Sequence, residues 1–252
     1  MVRNNHFTHS RKKLDELLKF HSDSNGETTL QDILNYARFK AEIENVIVVI
    51  SDMADGKSHI TAGGFARCLG IEDYCQENSI WENRILSLMV PEEQEEKYIA
   101  ELRFFHFIRH LPKKKKREYS LVSRLRFRFT DGMLHDVLHR MHYIYDDLDM
   151  VRFAICVYGP ATFEMKGKSY VVNTVTGEAE ALTSSDNNNI LSRRERQVLS
   201  LIDAGMNSTE IADRLNISVH TVSRHRQEII GRLQVKNTHE ACRIAKSLEL
   251  IQ

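Results

Sequence analysis

The sequence predicts an α+β protein in two parts: an antiparallel sheet with helices, followed by an all-α domain of four helices. Three observations predict it. Apolar residues sit at helical spacing after Pro91, change to a period of two at Leu121, and return to helical spacing after Leu191. A polar, turn-rich stretch without periodicity, Thr183 to Asn189, separates the last two regimes. The 252 residues, 42% of them hydrophobic, suffice for one large or two smaller cores at roughly 150 residues per domain. The expected units are an N-terminal helical segment (1–44), a sheet domain (45–182), a linker (183–190) and a helical domain (191–252).

Residues 1–10 are expected to lack order. Residues 11–20 place Leu14, Leu17 and Leu18 on one helix face, and residues 28–43 do the same with Leu30, Ile33, Leu34 and Ala37. Ser24-Asn25-Gly26 is the turn between them. Val46 to Ile50 is β-branched and ends at Ser51-Asp52, which suits a buried strand. Pro91 fits the first position of a long helix, and Glu92, Glu93, Glu95 and Glu96 crowd the positive end of its dipole. Ile99, Leu102, Phe105 and Ile108 follow at helical spacing until Pro112. In the next strand Leu125, Phe127 and Phe129 alternate with Arg124, Arg126 and Arg128. Asp131-Gly132 signals a turn. Leu134 to Tyr145 and Val151 to Tyr158 read as strands around Asp146 to Asp149. Tyr170 to Val175 and Glu178 to Leu182 read as a short hairpin about Thr176-Gly177.

Four helix starts crowd the last sixty residues. Ser192 precedes Glu195, Asn207 precedes Glu210 and Asn237 precedes Glu240, each at capping-box spacing, and Ser218 with Thr221 is a fourth start. Gly205 supplies a left-handed helix end, and Asn216-Ile217-Ser218 a tight turn. Ile211, Leu215, Ile217, Val222, Ile229 and Leu233 can close one core, with Ala212 where helices approach. This is a helix-turn-helix. Val222, Ile229, Ile230 and Leu233 of the third helix point inward. His220, Ser223, Arg224, Gln227 and Gly231 face outward, flanked by His225 and Arg226. Arg and Gln can each pair two hydrogen bonds with a base edge, and basic neighbours can hold phosphates. Charge agrees: residues 191–252 hold ten Lys/Arg against seven Asp/Glu, a net of +3, on a chain of zero net charge.

The segment from Leu191 to Ala241 resembles the LuxR/FixJ-type DNA-binding domain. The resemblance rests on Ser192-x-x-Glu195, Val198-Leu199, Gly205, Glu210-Ile211-Ala212, Ile217-Ser218, Thr221-Val222, His225, Leu233, Val235, Asn237 and Glu240-Ala241. It implies a sequence-specific transcription regulator with base-reading positions at Ser223, Arg224 and Gln227, and DNA contacts among His220, Thr221, His225 and Arg226. The family often carries Lys where this chain has Ser223, which moves that contact to Arg224 or Arg226. The resemblance further implies a homodimer. Ala241, Ile244, Ala245 and Leu248 form an apolar face on the last helix that fits this pairing, although part of it must close the core.

Residues 45–163 resemble a PAS domain, which implies a sensory or oligomerisation role and an unidentified small-molecule ligand. Gly64-Phe65-x-x-x-Leu69-Gly70 fits the early PAS helix, and Ile85 to Glu93 a later conserved stretch. Arg126 to Thr162, with Asp131-Gly132, His139-Arg140 and Asp146-Asp147, fits the PAS-type ending. A phosphoacceptor receiver would need an acidic pair after the first strand, where only Asp52 stands. Acyl-homoserine-lactone receptors share pocket tryptophans, and this chain has only Trp81.

The alternative function is a metal-dependent hydrolase with a DNA-binding tail. His135-Asp136-Val137-Leu138-His139, with His142 beyond, mimics a H-E-x-x-H zinc helix. On a strand the two histidines would lie roughly 13 Å apart and could not share an ion. The Asp-Gly turn and Tyr143-Ile144-Tyr145 favour the strand, so no enzyme and no metal ligands are expected. His106 and His110 read as surface or core residues rather than haem ligands, and no flavin-binding cysteine motif exists, so no cofactor is expected. Trp81 and Phe104 read as core aromatics and Lys113 to Arg117 as a solvated turn. Cys68, Cys75, Cys156 and Cys242 show no C-x-x-C pair and read as reduced, mostly buried thiols. The longest aliphatic run, Val46 to Ile50, is too short to span a bilayer, and no secretory signal is visible, so a cytoplasmic protein without membrane contact is expected.

Overall fold

The computed structural model describes residues 29–109, 111–182, 191–233, 235, 237–248 and 250–251. The helix expected over 11–20, the turn at Ser24-Asn25-Gly26, His110 and the linker over 183–190 lie outside them.

Helix α1 (Leu30–Glu44) begins at Thr29, whose hydroxyl accepts the Asp32 N–H while the Asp32 carboxylate accepts the Thr29 N–H. It buries Ile33, Ala37 and Ala41. Strand β1 (Ile47–Asp52) is buried along its whole length because both of its faces are covered. Val48 and Ile50 pack under α1 with Phe153, Ile155 and Val157, while Ile47 and Val49 face the main core. A continuous β-branched run, rather than alternation, is the sequence of such a strand.

The next elements are β2 (Lys57–Ala62), α2 (Ala66–Leu69), β3 (Gln76–Glu77), α3 (Asn83–Leu86), α4 (Pro91–Arg109) and α5 (Lys113–Lys116). Strands β4 (Tyr119–Arg128), β5 (Leu134–Tyr145) and β6 (Val151–Pro160) follow, and β7 (Ser169–Asn173) with β8 (Ala179–Ala181) forms the expected hairpin. From β1 the order is thus two strands, short helices, a long helix and three antiparallel strands. The sheet runs β3-β2-β1-β6-β5-β4-β7-β8 with every pairing antiparallel. Strand β1 lies between β2 and β6, so Ile47 faces both Ala62 and Tyr158 across the ladders. The β4–β5 connection turns at Gly132, at φ +81°, where the Asp131 carboxylate accepts the Met133 N–H.

Helix α4 crosses the face of the sheet opposite α1. Its buried side differs from the expected one. Leu102 and Ile108 are buried, but Ile99 and Phe105 only partly so, and the innermost positions hold Lys97, Tyr98, Glu101 and Phe104. Trp81 and Phe104 are core aromatics as expected, Trp81 meeting Tyr98 edge-on at 5.3 Å. The basic run at Lys113 forms an exposed helical turn, with Lys116 2.6 Å from Asp149. The thiols depart from expectation: Cys156 and Cys242 are buried, but Cys68, on the outward side of α2, and Cys75, in the segment before β3, are exposed.

The helical domain consists of α6 (Arg193–Asp203), α7 (Ser208–Leu215), α8 (Val219–Leu233) and α9 (Thr238–Ser247). Val198, Leu199, Ile211, Ala212, Val222, Ile229 and Leu233 close its core, and Leu215 and Ile217 cover the core edge. Among the described residues no helix is long and apolar enough to cross a membrane.

Candidate nucleic-acid interface

The caps fix where each helix begins. The Ser192 hydroxyl accepts the Glu195 N–H and the Glu195 carboxylate returns to the Ser192 N–H at 2.7 Å. Asn207 and Glu210 repeat this box. Ser218 receives the Thr221 N–H at 3.0 Å, and Asn237 the Glu240 N–H at 2.9 Å. Gly205 leaves α6 at φ +85°, and Asn216 leaves α7 at φ 50°, ψ 52°. The Ile217 N–H then reaches the Ala212 carbonyl at 3.0 Å. This turn sets the angle at which α8 crosses α7.

Helix α8 buries Val222, Ile229 and Leu233, with Ile230 half-buried. His220, Ser223, Arg224, Gln227 and Gly231 are exposed on the opposite face, as the spacing predicts. The Arg224 side chain is 73% exposed and pairs with Glu228 at 2.8 Å, which holds the Glu228 carboxyl below its ordinary value. His225 is half-buried, its Nδ1 3.3 Å from Glu228. Thr221 is half-buried, its hydroxyl 2.8 Å from that of Ser218. Arg226 is differently placed from Arg224. Its guanidinium donates to the Ser208 hydroxyl at 2.9 Å and the Thr238 hydroxyl at 3.2 Å, joining α8 to the starts of α7 and α9. Sequence spacing puts both arginines near one face, and only the fold separates their duties. Val219, exposed at the first turn of α8, is an addition to the residues that spacing singles out.

The apolar face expected to pair subunits is committed elsewhere. Ala241, Ile244, Ala245 and Leu248 are all buried within the single chain, against α6 and α8. A module this small needs that face for its own core. The outer side of α9 carries Arg243 and Lys246, the latter 2.8 Å from Asp203.

The zinc-helix reading of His135 and His139 fails on geometry, since both lie on β5. His135 is near the surface, 2.7 Å from Asp131. His139 is fully buried and stacks on Tyr158 at 4.8 Å. Around His139 lies a polar cluster that the sequence does not indicate. Lys97 sits 2.7 Å from Glu101 and 3.6 Å from Glu82, with all three side chains at most 3% exposed. The Tyr158 hydroxyl donates to Glu82. Burial pulls Lys97 down, but Glu101 and Glu82 outweigh it and leave its ammonium above the ordinary value. Burial raises Glu101, against the pull of Lys97. Burial, helped by the Lys97 charge, holds His139 neutral. Burial, with Glu82 adding to it, keeps Cys156 a thiol. The i,i+4 pair Lys97 and Glu101 is the one available signal, and on a helix that spacing ordinarily marks a solvated face.

Residues 189–245 match the family model described as "Bacterial regulatory proteins, luxR family". The oxygen regulatory protein NreC of Staphylococcus epidermidis is 34% identical over 100 residues, covering 38% of this chain and 46% of that protein. NreC of Staphylococcus aureus is 33% identical over 99 residues, with the same shares covered. The chain thus spans about half the length of the curated relatives it matches. The solved Vibrio cholerae VqmA dimer covers 89% of this chain and 91% of that one at 12% identity, with a TM-score of 0.30. The capped helices, the Asn216 turn and the outward polar face of α8 coincide with the matched residues. The chain therefore carries, at 189–245, the helix-turn-helix DNA-binding domain of the luxR family of bacterial regulatory proteins.

Proposed function

We propose that the protein is a sequence-specific transcription regulator that binds operator DNA as a homodimer. The observation that carries the reading is the division of labour on α8. His220, Ser223, Arg224 and Gln227 stand free of the core, while Arg226 braces the helix from behind. In this reading Arg224 and Gln227 read base edges in the major groove, Ser223 and His220 border them, and Val219 suits a thymine methyl. Thr221, His225 and Arg226 orient the helix and lie close enough to its rim to meet phosphates. The PAS-like domain supplies a signal input or the pairing of subunits, and its buried polar cluster is the natural place for an input. Pairing of the DNA-bound modules uses the outer side of α9 near Arg243 and Lys246, since the inner side is core.

The experiment is operator selection from random duplexes with the full chain, followed by titration of Arg224→Ala and Gln227→Ala. Each loss should relax preference at one base pair per half-site, and two half-sites should be about one helical turn apart. Selection of no preferred sequence would refute the reading.

A further inference from the structure

We propose that Glu101, His139 and Cys156 form a binding site for one borderline transition-metal ion of the zinc class, inside the PAS-like domain. One ligand atom from each lies within 4.8 Å of the others, and all three residues are buried. They come from three elements, α4, β5 and β6, and Met141 opposite Cys156 keeps the two strands in register beside them. Donor atoms around a tetrahedral zinc-sized ion lie roughly 3.3–3.8 Å apart. The His139 Nε2 to Glu101 Oε1 distance is already 3.8 Å. Closing the 4.8 Å spread to that range takes a movement of about 1 Å on binding.

Three further features point to an ion. Both ring nitrogens of His139 are buried with no hydrogen-bond partner among the described residues. A neutral imidazole left so is costly, and metal coordination satisfies one nitrogen. The charges also fit. With Glu82 and Glu101 ionised, Lys97 leaves one negative charge in excess, and a divalent ion bound with the Cys156 thiolate brings the cluster to zero. Finally, a cavity of about 20 Å³ borders two of the three, Glu101 and Cys156, which line it together with Lys97, Met141 and Tyr143. That is room for one water, the fourth ligand a three-residue site needs. The imidazole, thiolate and carboxylate set suits zinc, and the thiolate disfavours magnesium or calcium. Binding releases the Cys156 thiol proton to solvent, with no change of oxidation state. Lys97 and Glu82 remain outside the coordination shell, Lys97 holding the Glu101 carboxylate and Glu82 holding Lys97. The site stands independently of the DNA-binding reading.

The test is titration of the full-length, chelator-stripped protein with cobalt(II), a coloured stand-in for zinc. The expected result is one ion per chain, with a thiolate-to-cobalt charge-transfer band and visible bands of tetrahedral intensity. The band should persist in the triple variant Cys68→Ser/Cys75→Ser/Cys242→Ala, which leaves Cys156 as the sole thiol. It should vanish in Cys156→Ser, and His139→Gln should weaken affinity at least ~10-fold. Wild type and the triple variant decide the matter even where a core variant unfolds. No stoichiometric cobalt in either, or a band retained in Cys156→Ser, overturns the site.

Discussion

Replacing Arg224 and Arg226 one at a time separates reading from folding on the same helix. Arg224 is 73% exposed and pairs with Glu228, one turn away. Such exposed i,i+4 pairs contribute about 0.3–0.5 kcal/mol. Arg224→Ala should therefore leave the urea midpoint almost unmoved. If the side chain grips a guanine edge, the same substitution should cost about 1–3 kcal/mol of binding, roughly 5- to 150-fold in Kd, and relax one position of the operator. If it holds a phosphate instead, affinity should fall uniformly across sequences and the salt slope by about one. Arg226 makes two charged-donor hydrogen bonds from a half-buried position, to Ser208 and Thr238. Its removal should cost about 1–2 kcal/mol of stability, and DNA affinity should fall evenly across sequences, through the loosened domain and the lost phosphate contact, with base preference kept. Fluorescence anisotropy at fixed salt and urea unfolding, run on both variants, give the comparison. Equal affinity and equal sequence preference for Arg224→Ala and wild type would refute the assignment of α8 as the reading helix.

Glu195 is 1% exposed, accepts the Ser192 N–H at 2.7 Å and lies 3.0 Å from Arg232, so Glu195→Ala should destabilise the helical domain by about 1–3 kcal/mol in urea unfolding. Gly205 sits at φ +85° in open space, where a Cβ would meet nothing within 4 Å, so Gly205→Ala should cost about 1 kcal/mol from backbone strain alone. Burial depresses His139 and His142 below the ordinary value of 6.5, so the unfolded chain binds more protons than the native one just below that pH. Stability from their neutral forms is then complete above about pH 6.5 and lost as pH falls, and urea midpoints in chelator from pH 7.5 to 5.5 should decline, less so in His142→Gln. Arg243→Glu with Lys246→Glu should abolish cooperative loading of two half-sites in sedimentation while leaving the thermal midpoint nearly unchanged.

Most of the scaffold is legible in the sequence because its signals are local. A capping box needs residues three apart, so Ser192, Asn207 and their glutamates announce α6 and α7 within one turn. Asp131-Gly132 and the alternation from Leu125 to Phe129 likewise fix a hairpin from neighbours alone. What stays hidden depends on distant partners. Lys97 and Glu101 have the spacing of a solvated pair, and only the arrival of Glu82, His139 and Cys156 from other elements makes them an interior cluster. Ala241, Ile244, Ala245 and Leu248 tell correctly that one face of α9 is covered, but apolar spacing does not say whether the cover is this chain or a second copy. Arg226 carries the same chemistry as Arg224, and nothing in its neighbours foretells Ser208 and Thr238.

The bracing of α8 by Arg226 has an evolutionary corollary. Because the helix is held from its inner edge, Ser223, Arg224 and Gln227 owe nothing to the core and are free to vary. A lineage can then drift from one target sequence to another by single substitutions without passing through unfolded intermediates. The same freedom makes these three positions suitable for randomisation: a library built there should consist almost entirely of folded members, differing in the sequence they prefer.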